Sequence, residues 1–249
     1  GLMAICALFG VTLNQLFFFN GLNLTSPINS SIIMTSNPIM VVVLAFFILK
    51  ERILPLKIVG IVVGTIGAVW LIVLAGNQPT TNASMIGDIY ILINSLTYAL
   101  FLVLVKPLMT KYRPITVITI VFTFGLSYIM LYPPVWTELA LVDFKSIPTF
   151  IYWEIGFVII GVTFLAYLLN IFALKTVSPS VSSSYIYLQP VFAGVFAWLF
   201  LSWIKADYVQ DITLTKVFCS VLIALGVYLI SVSSRNARKK KERLSNIAE

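Results

Sequence analysis

Two amide-proline pairs hold the residues best suited to binding chemistry: Asn37-Pro38 and Gln189-Pro190. A proline inside a helix has no N–H to give and crowds the carbonyl four residues back. The carbonyls of Met34 and Ile186 are thereby left for another partner. Beside each stands an amide that both donates and accepts. A polar solute without net charge could be held by such groups through hydrogen bonds. The same amides could instead repair their own helix breaks or bond a neighbouring helix, since a polar group in hydrocarbon is costly without a partner.

Other polar residues fall at helical spacing. Asn94 and Tyr98 are four residues apart, as are Tyr185 and Gln189, and Tyr167 and Asn170 are three apart, so each pair shares one helix face. Asn14 and Gln15 lie inside another apolar run. The candidate substrate-binding set is Asn37, Gln189, Asn14, Gln15, Asn94, Tyr98, Asn170 and Tyr185, with Pro38 and Pro190 as helix breaks. Ordinary interhelical hydrogen bonds are the competing use of each.

Catalysis finds little support. The chain has no His, so His general-base chemistry and His-based metal sites are excluded, and no catalytic residue, metal or cofactor is expected. Ser30, Ser31, Ser182, Ser183 and Ser184 have no base at hand, and no carboxylate pair lies deep in an apolar run. Cys6 and Cys219 sit in apolar segments as small fillers. An intramembrane enzyme and a non-transporting scaffold or receptor are the alternatives to a carrier.

The elements that position these residues are set by composition. Of 249 residues, 60% are hydrophobic and 10% charged, with a mean hydropathy of +1.03. A soluble domain carries about 25% charged residues. The expected class is therefore an all-α membrane protein in the lipid bilayer. About twenty apolar residues cross it as a helix. Eight transmembrane helices are expected, near 2–22, 27–49, 55–75, 86–105, 115–133, 150–173, 179–203 and 213–233.

The net charge is +7, and its distribution marks topology, with no nucleic-acid partner implied. Lys50, Arg52 and Lys57, then Lys106, Lys111 and Arg113, then Lys175, then the tail from Arg235 occupy alternate connections. These belong in the cytoplasm. The reading is a multi-pass protein of the cell membrane with a cytoplasmic C-terminus.

One offset relates two parts of the chain. Ser26-Pro27 and Ser178-Pro179 both open apolar stretches, and Pro38 and Pro190 both interrupt them, all 152 residues apart. Ser30/Ser182 and Ser31/Ser183 coincide at the same offset. Internal repeats in membrane proteins point to transporters. The paired helices are the second and seventh spans, so they run in opposite directions: an inverted repeat of five-helix halves. Residues 1–76 hold the last three helices of the first half, 85–234 the whole second half, and 235–249 a basic tail. Two helices are expected ahead of Gly1. Gly60, Gly64 and Gly67 with Gly226 read as a close-packing face.

These features resemble the EamA-type family of the drug/metabolite transporter superfamily. The first half carries Asn20-Gly21-Leu22-Asn23-Leu24, Asn37-Pro38, Lys50-Glu51-Arg52 and then Gly60, Gly64 and Gly67. The second carries Gly87-Asp88, Gly161-Val162-Thr163, Ala173-Leu174-Lys175 and Tyr185-Ile186-Tyr187-Leu188-Gln189-Pro190. The resemblance implies a ten-helix carrier with a central cavity between its halves, moving a small-molecule substrate, often outward. Two departures are the absent first two helices and Trp203 where the other half has Glu51. The neutral, aromatic-rich interior favours an amino acid or a similar neutral or zwitterionic metabolite. A second copy of the chain is a candidate partner.

Overall fold

The computed structural model describes residues 1–25, 27–75, 84–189, 191–192, 195 and 214–248. The described residues form helices joined by turns and short irregular connections. Ser26, which opens one of the paired stretches, the break at Pro190 and Trp203 lie outside them.

The first helix, α1, runs Leu2–Leu24 and contains a π-helical stretch at Leu8–Leu13. The next expected span is two helices, α2 (Pro27–Met34) and α3 (Asn37–Leu49). Pro38 falls at the start of α3, and the chain turns at Thr35-Ser36 immediately before it. The Ser36 N–H and hydroxyl both donate to the Ile33 carbonyl, at 3.0 and 2.6 Å. A proline in this register cannot extend a helix from the preceding turn. At its far end α3 stops because Lys50 adopts a left-handed conformation, φ 54°. That residue closes the helix as glycine more often does, through hydrogen bonds back to the Ala45 carbonyl.

Further on come α4 (Pro55–Ala75), α5 (Met85–Val105, with a 3-10 turn at Lys106–Thr110), and α6 (Pro114–Met130). Residues 133–141 form a short helix, α7 (Pro133–Leu141), where the charge-bearing sequence reads as a loop. Two prolines start it, as suits a first helical turn. It bends 76° from α6, and the Trp136 indole caps the Met130 carbonyl at 2.8 Å. Helix α8 (Thr149–Leu174) holds a second π-helical stretch at Val158–Leu165. After it come α9 (Pro179–Ser184), running into a 3-10 turn at Tyr185–Leu188, and α10 (Leu214–Ala248). The helix continues through the basic residues from Arg235, where Arg, Lys, Glu, Ala and Leu are strong helix formers.

Among the described residues, Leu2–Leu24, Met85–Thr110, Thr149–Leu174 and Val217–Ser234 are each long and apolar enough to cross a bilayer. The bent pair α6–α7 would make a fifth, and Asn37–Leu49 and Pro55–Trp70 are shorter apolar helices.

Two cores hold the bundle. One gathers Cys6, Val41, Ala45, Phe101, Val117 and Ile171, from α1, α3, α5, α6 and α8. The other joins Ala68, Tyr187 and Ile223, from α4, the turn after α9, and α10. In the second, α4 and α10 touch through glycines. A Cβ on Gly226 would lie 2.6 Å from the Gly64 backbone and 2.7 Å from the Gly60 carbonyl. Only hydrogens at these positions permit that approach.

Candidate functional site

Helices α5, α8 and α9 converge on a cavity of about 270 Å³. Its polar wall is a relay. The Ser182 hydroxyl donates to Asn170 Oδ1 at 2.5 Å, and Asn170 Nδ2 donates to the Tyr98 hydroxyl at 2.6 Å. With its oxygen accepting, Tyr98 keeps its own proton to offer at the end of the relay. Tyr185 and Gln189 complete the polar lining, while Leu102, Ala166 and Ile186 supply apolar surface.

The spacing that creates this wall is helical. Tyr98 and Leu102 are one turn apart on α5, as are Ala166 and Asn170 on α8. The sharper 3-10 turn after Ser184 swings Tyr185 and Gln189 to the exposed side while Tyr187 stays buried. Tyr187 goes to the other core, where its hydroxyl lies 2.8 Å from that of Thr65.

Four of the eight candidate residues therefore meet: Tyr98, Asn170, Tyr185 and Gln189. The other four are placed elsewhere. Asn14 Nδ2 donates to the Asn94 carbonyl at 3.2 Å, and Asn94 Nδ2 returns a bond to the Asn14 carbonyl at 2.8 Å. These two tie α1 to α5. Gln15 reaches the Tyr167 hydroxyl, which also donates to the Gly10 carbonyl at 2.7 Å. Asn37 is buried and donates to the Ser95 carbonyl at 2.7 Å, so α3 is pinned on α5. Asn37 and Gln189, paired by register, are not brought together.

Ser182 and Ser183 line the cavity, a role the sequence alone did not suggest for them. Their signal was their occurrence, with Ser184, on a short helix next to an aromatic-amide run. Glu51, from the Lys50-Glu51-Arg52 motif, meets partners from two other helices. It receives Lys57 at 3.2 Å and Ser180 at 3.0 Å on one carboxylate oxygen. At the opposite end of α5, Asp88 accepts from the Thr25 hydroxyl.

A larger open groove of about 520 Å³ runs along α4 past Ile66, Val69 and Trp70. It is almost wholly apolar, and its one hydroxyl, Thr65, is taken by Tyr187. It suits lipid contact better than a polar solute.

A family model described as the EamA-like transporter family matches residues 1–73 and 85–232. The uncharacterized transporter YyaM of Bacillus subtilis (strain 168) is 29% identical over 230 residues, spanning 92% of this chain and 73% of that protein. An uncharacterized transporter of Archaeoglobus fulgidus is 25% identical over 231 residues, 91% of this chain and 74% of the other. A solved crystal structure matches 94% of this chain and 76% of its own with a TM-score of 0.70 at 17% identity, a likeness of fold.

Proposed function

We propose, from the premise that this chain belongs to the EamA-like transporter family, that it moves a small neutral or zwitterionic metabolite out of the cell by alternating access. The chain is a multi-pass membrane transporter of all-α construction. The single observation that carries the substrate class is the cavity. Among the described residues, none that lines it is Asp, Glu, Lys or Arg. A volume of about 270 Å³ lies just below the range of about 300–1,000 Å³ found for drug-sized ligands, which favours a solute of amino-acid size.

Tyr98 would donate to a carboxylate oxygen, and the Gln189 amide can serve either charge of a zwitterion. Tyr185, Leu102 and Ile186 would face the apolar body. Asn14, Gln15, Asn94 and Asn37 position the helices that carry these groups.

An inverted repeat of five-helix halves, with eight spans in this chain, is supported by register. Shifted by 152 residues, the π-helical stretch Leu8–Leu13 falls on 160–165, within the second such stretch at Val158–Leu165. Pro27 and Pro179 begin helices at the same offset, and the family model matches in two stretches. The basic connections favour the cell membrane with the C-terminus in the cytoplasm.

The test is thermal unfolding of the purified protein against neutral, zwitterionic and phosphorylated metabolites. A ligand at a hundred times its dissociation constant stabilises by about 2.7 kcal/mol. Stabilisation by a neutral or zwitterionic solute, lost on Asn170→Leu, is expected. A response confined to phosphorylated solutes would overturn the substrate class.

A further inference from the structure

We propose that Glu51, Lys57 and Ser180 form a clasp that holds the cavity shut at its basic end and must open for the solute to pass there. The inference rests on the carrier reading above and deepens it.

Its geometry starts from the end of α3. The left-handed Lys50 turns the chain so that Glu51 follows with its N–H on the Ala45 carbonyl at 3.1 Å. From there the Glu51 carboxylate meets two groups from elsewhere in the fold. Lys57, in the first turn of α4, is only 3% exposed and places Nζ 3.2 Å from Glu51 Oε2. Ser180, 1% exposed in the first turn of α9, donates to the same oxygen at 3.0 Å. One carboxylate oxygen thus links α3, α4 and α9.

Ser180 stands two residues before Ser182, whose hydroxyl begins the relay in the cavity wall. The helix that closes the basic end is therefore the helix that lines the site. Pro179, Ser180, Val181, Ser183 and Ser184 are all buried where α9 meets Glu51. A second strap lies nearby. Lys106 Nζ donates to the Leu174 and Val177 carbonyls, at 2.5 and 2.7 Å, in the connection that leads into α9.

A buried lysine and a carboxylate with two donors stay together only while the desolvated charges keep their partners. Separation would let water reach both groups and hydrate the charges that the closed contact desolvates. Both Glu51 and Lys57 come from residues 1–76, and Ser180 from residues 85–234, so the contact crosses between the two proposed halves. It is a contact that a relative movement of the halves has to break.

The experiment uses the full-length protein in membrane vesicles with Cys6 and Cys219 replaced by alanine and a reporter thiol introduced as Ser182→Cys. A membrane-impermeant maleimide is applied from each side in turn. Glu51→Gln keeps the shape and removes the charge. It is expected to raise labelling from the basic side about fivefold, as a shift of at least the usual coupling size would. Labelling from the opposite side should fall or stay level. Ser180→Ala, a smaller change, should act in the same direction, and Glu51→Asp should restore most of the closure.

Unchanged basic-side labelling in both Glu51→Gln and Ser180→Ala, with monodisperse protein, would overturn the clasp. Labelling that rises equally from both sides would also overturn it, since that marks general loosening. Labelling needs no solute. A basic-side increase, with no solute moved in a flux assay of the protein that keeps Ser182, Cys6 and Cys219, would leave the clasp standing and remove the carrier reading instead.

Discussion

Asn14 and Asn94 exchange hydrogen bonds, each donating its side-chain amide to the other's main-chain carbonyl, at 3.2 and 2.8 Å. The two residues are 7% and 4% exposed. This reciprocal bond fixes α1 on α5, one turn from the cavity residue Tyr98. Interhelical hydrogen bonds in membranes average about 0.6 kcal/mol and reach about 1.7, and an orphaned buried partner adds to the loss. Asn94→Leu should destabilise the protein by about 1–2 kcal/mol. Asn14→Leu added to it should cost nearly its full separate amount, because each substitution removes only its own side-chain bond to a main-chain carbonyl that persists, and Asn14 also gives up the Tyr167 hydroxyl at 3.2 Å. Unfolding equilibria in mixed micelles over the double-mutant cycle check this.

The cavity relay predicts a different pattern. Asn170→Leu removes the acceptor for Ser182 and the donor to Tyr98 together. Solute affinity should fall about tenfold or more, in line with one or two lost hydrogen bonds. Tyr98→Phe removes only the terminal hydroxyl and should weaken binding about three- to tenfold. Isothermal titration with the solute found by thermal screening measures both.

Asn37 and Gln189 should separate. Gln189 is exposed on the cavity wall, so Gln189→Ala should raise the dissociation constant about tenfold while the melting temperature holds. Asn37 is buried against Ser95, and its Oδ1 has no hydrogen-bond partner among the described residues. Asn37→Leu replaces one made bond and one orphan acceptor with apolar atoms, a change that costs about 1 kcal/mol or less. It should leave the dissociation constant within about twofold, because no solute contact is lost. Equal loss of binding in the two variants would return Asn37 to the solute site.

Glycine substitutions should divide by what a Cβ would meet. At Gly226 the methyl group would press on the Gly64 and Gly60 backbones at 2.6–2.7 Å. Neither neighbour is a side chain that can rotate away. Gly226→Ala should cost about 1–3 kcal/mol by forcing α4 and α10 apart. At Gly156 no atom lies within 4 Å, so Gly156→Ala should be neutral or stabilising by up to about 1 kcal/mol. Melting curves of the two variants against the parent protein test the contrast.

How far the sequence reaches is clear from particular residues. Pro38 is legible because a missing N–H has one consequence wherever it stands, and the chain does break at Thr35-Ser36. Gly60, Gly64 and Gly226 are legible because small residues at helical spacing have few uses other than close approach. Asn94 and Tyr98 show the limit. Four residues apart, they share a face, yet Asn94 serves α1 and Tyr98 serves α8. Spacing tells which side chains look the same way, while the choice between a neighbouring helix and a cavity depends on which helix packs there. Helix α7 escaped for a local reason: nine residues with a glutamate are too short and too polar to stand out as an apolar segment. Glu51 escaped because its partner Ser180 is 129 residues away.

Helix α10 has a mechanical consequence. It runs unbroken for 35 residues, about 52 Å at 1.5 Å per residue, against a hydrocarbon core about 30 Å thick. About 21 Å of helix continues past Ser234. Its inner part lies against α4 with backbone-to-backbone contact, and Lys57 stands in the first turn of α4. The pair cannot slip like two oiled rods, because glycine contact leaves no side chain to act as a bearing. Whatever tilt α4 undergoes, α10 shares, and the protruding stem acts as a lever arm. A tilt of 10° would carry its tip about 4 Å. A small tilt of α4 is in that sense read at larger scale along α10.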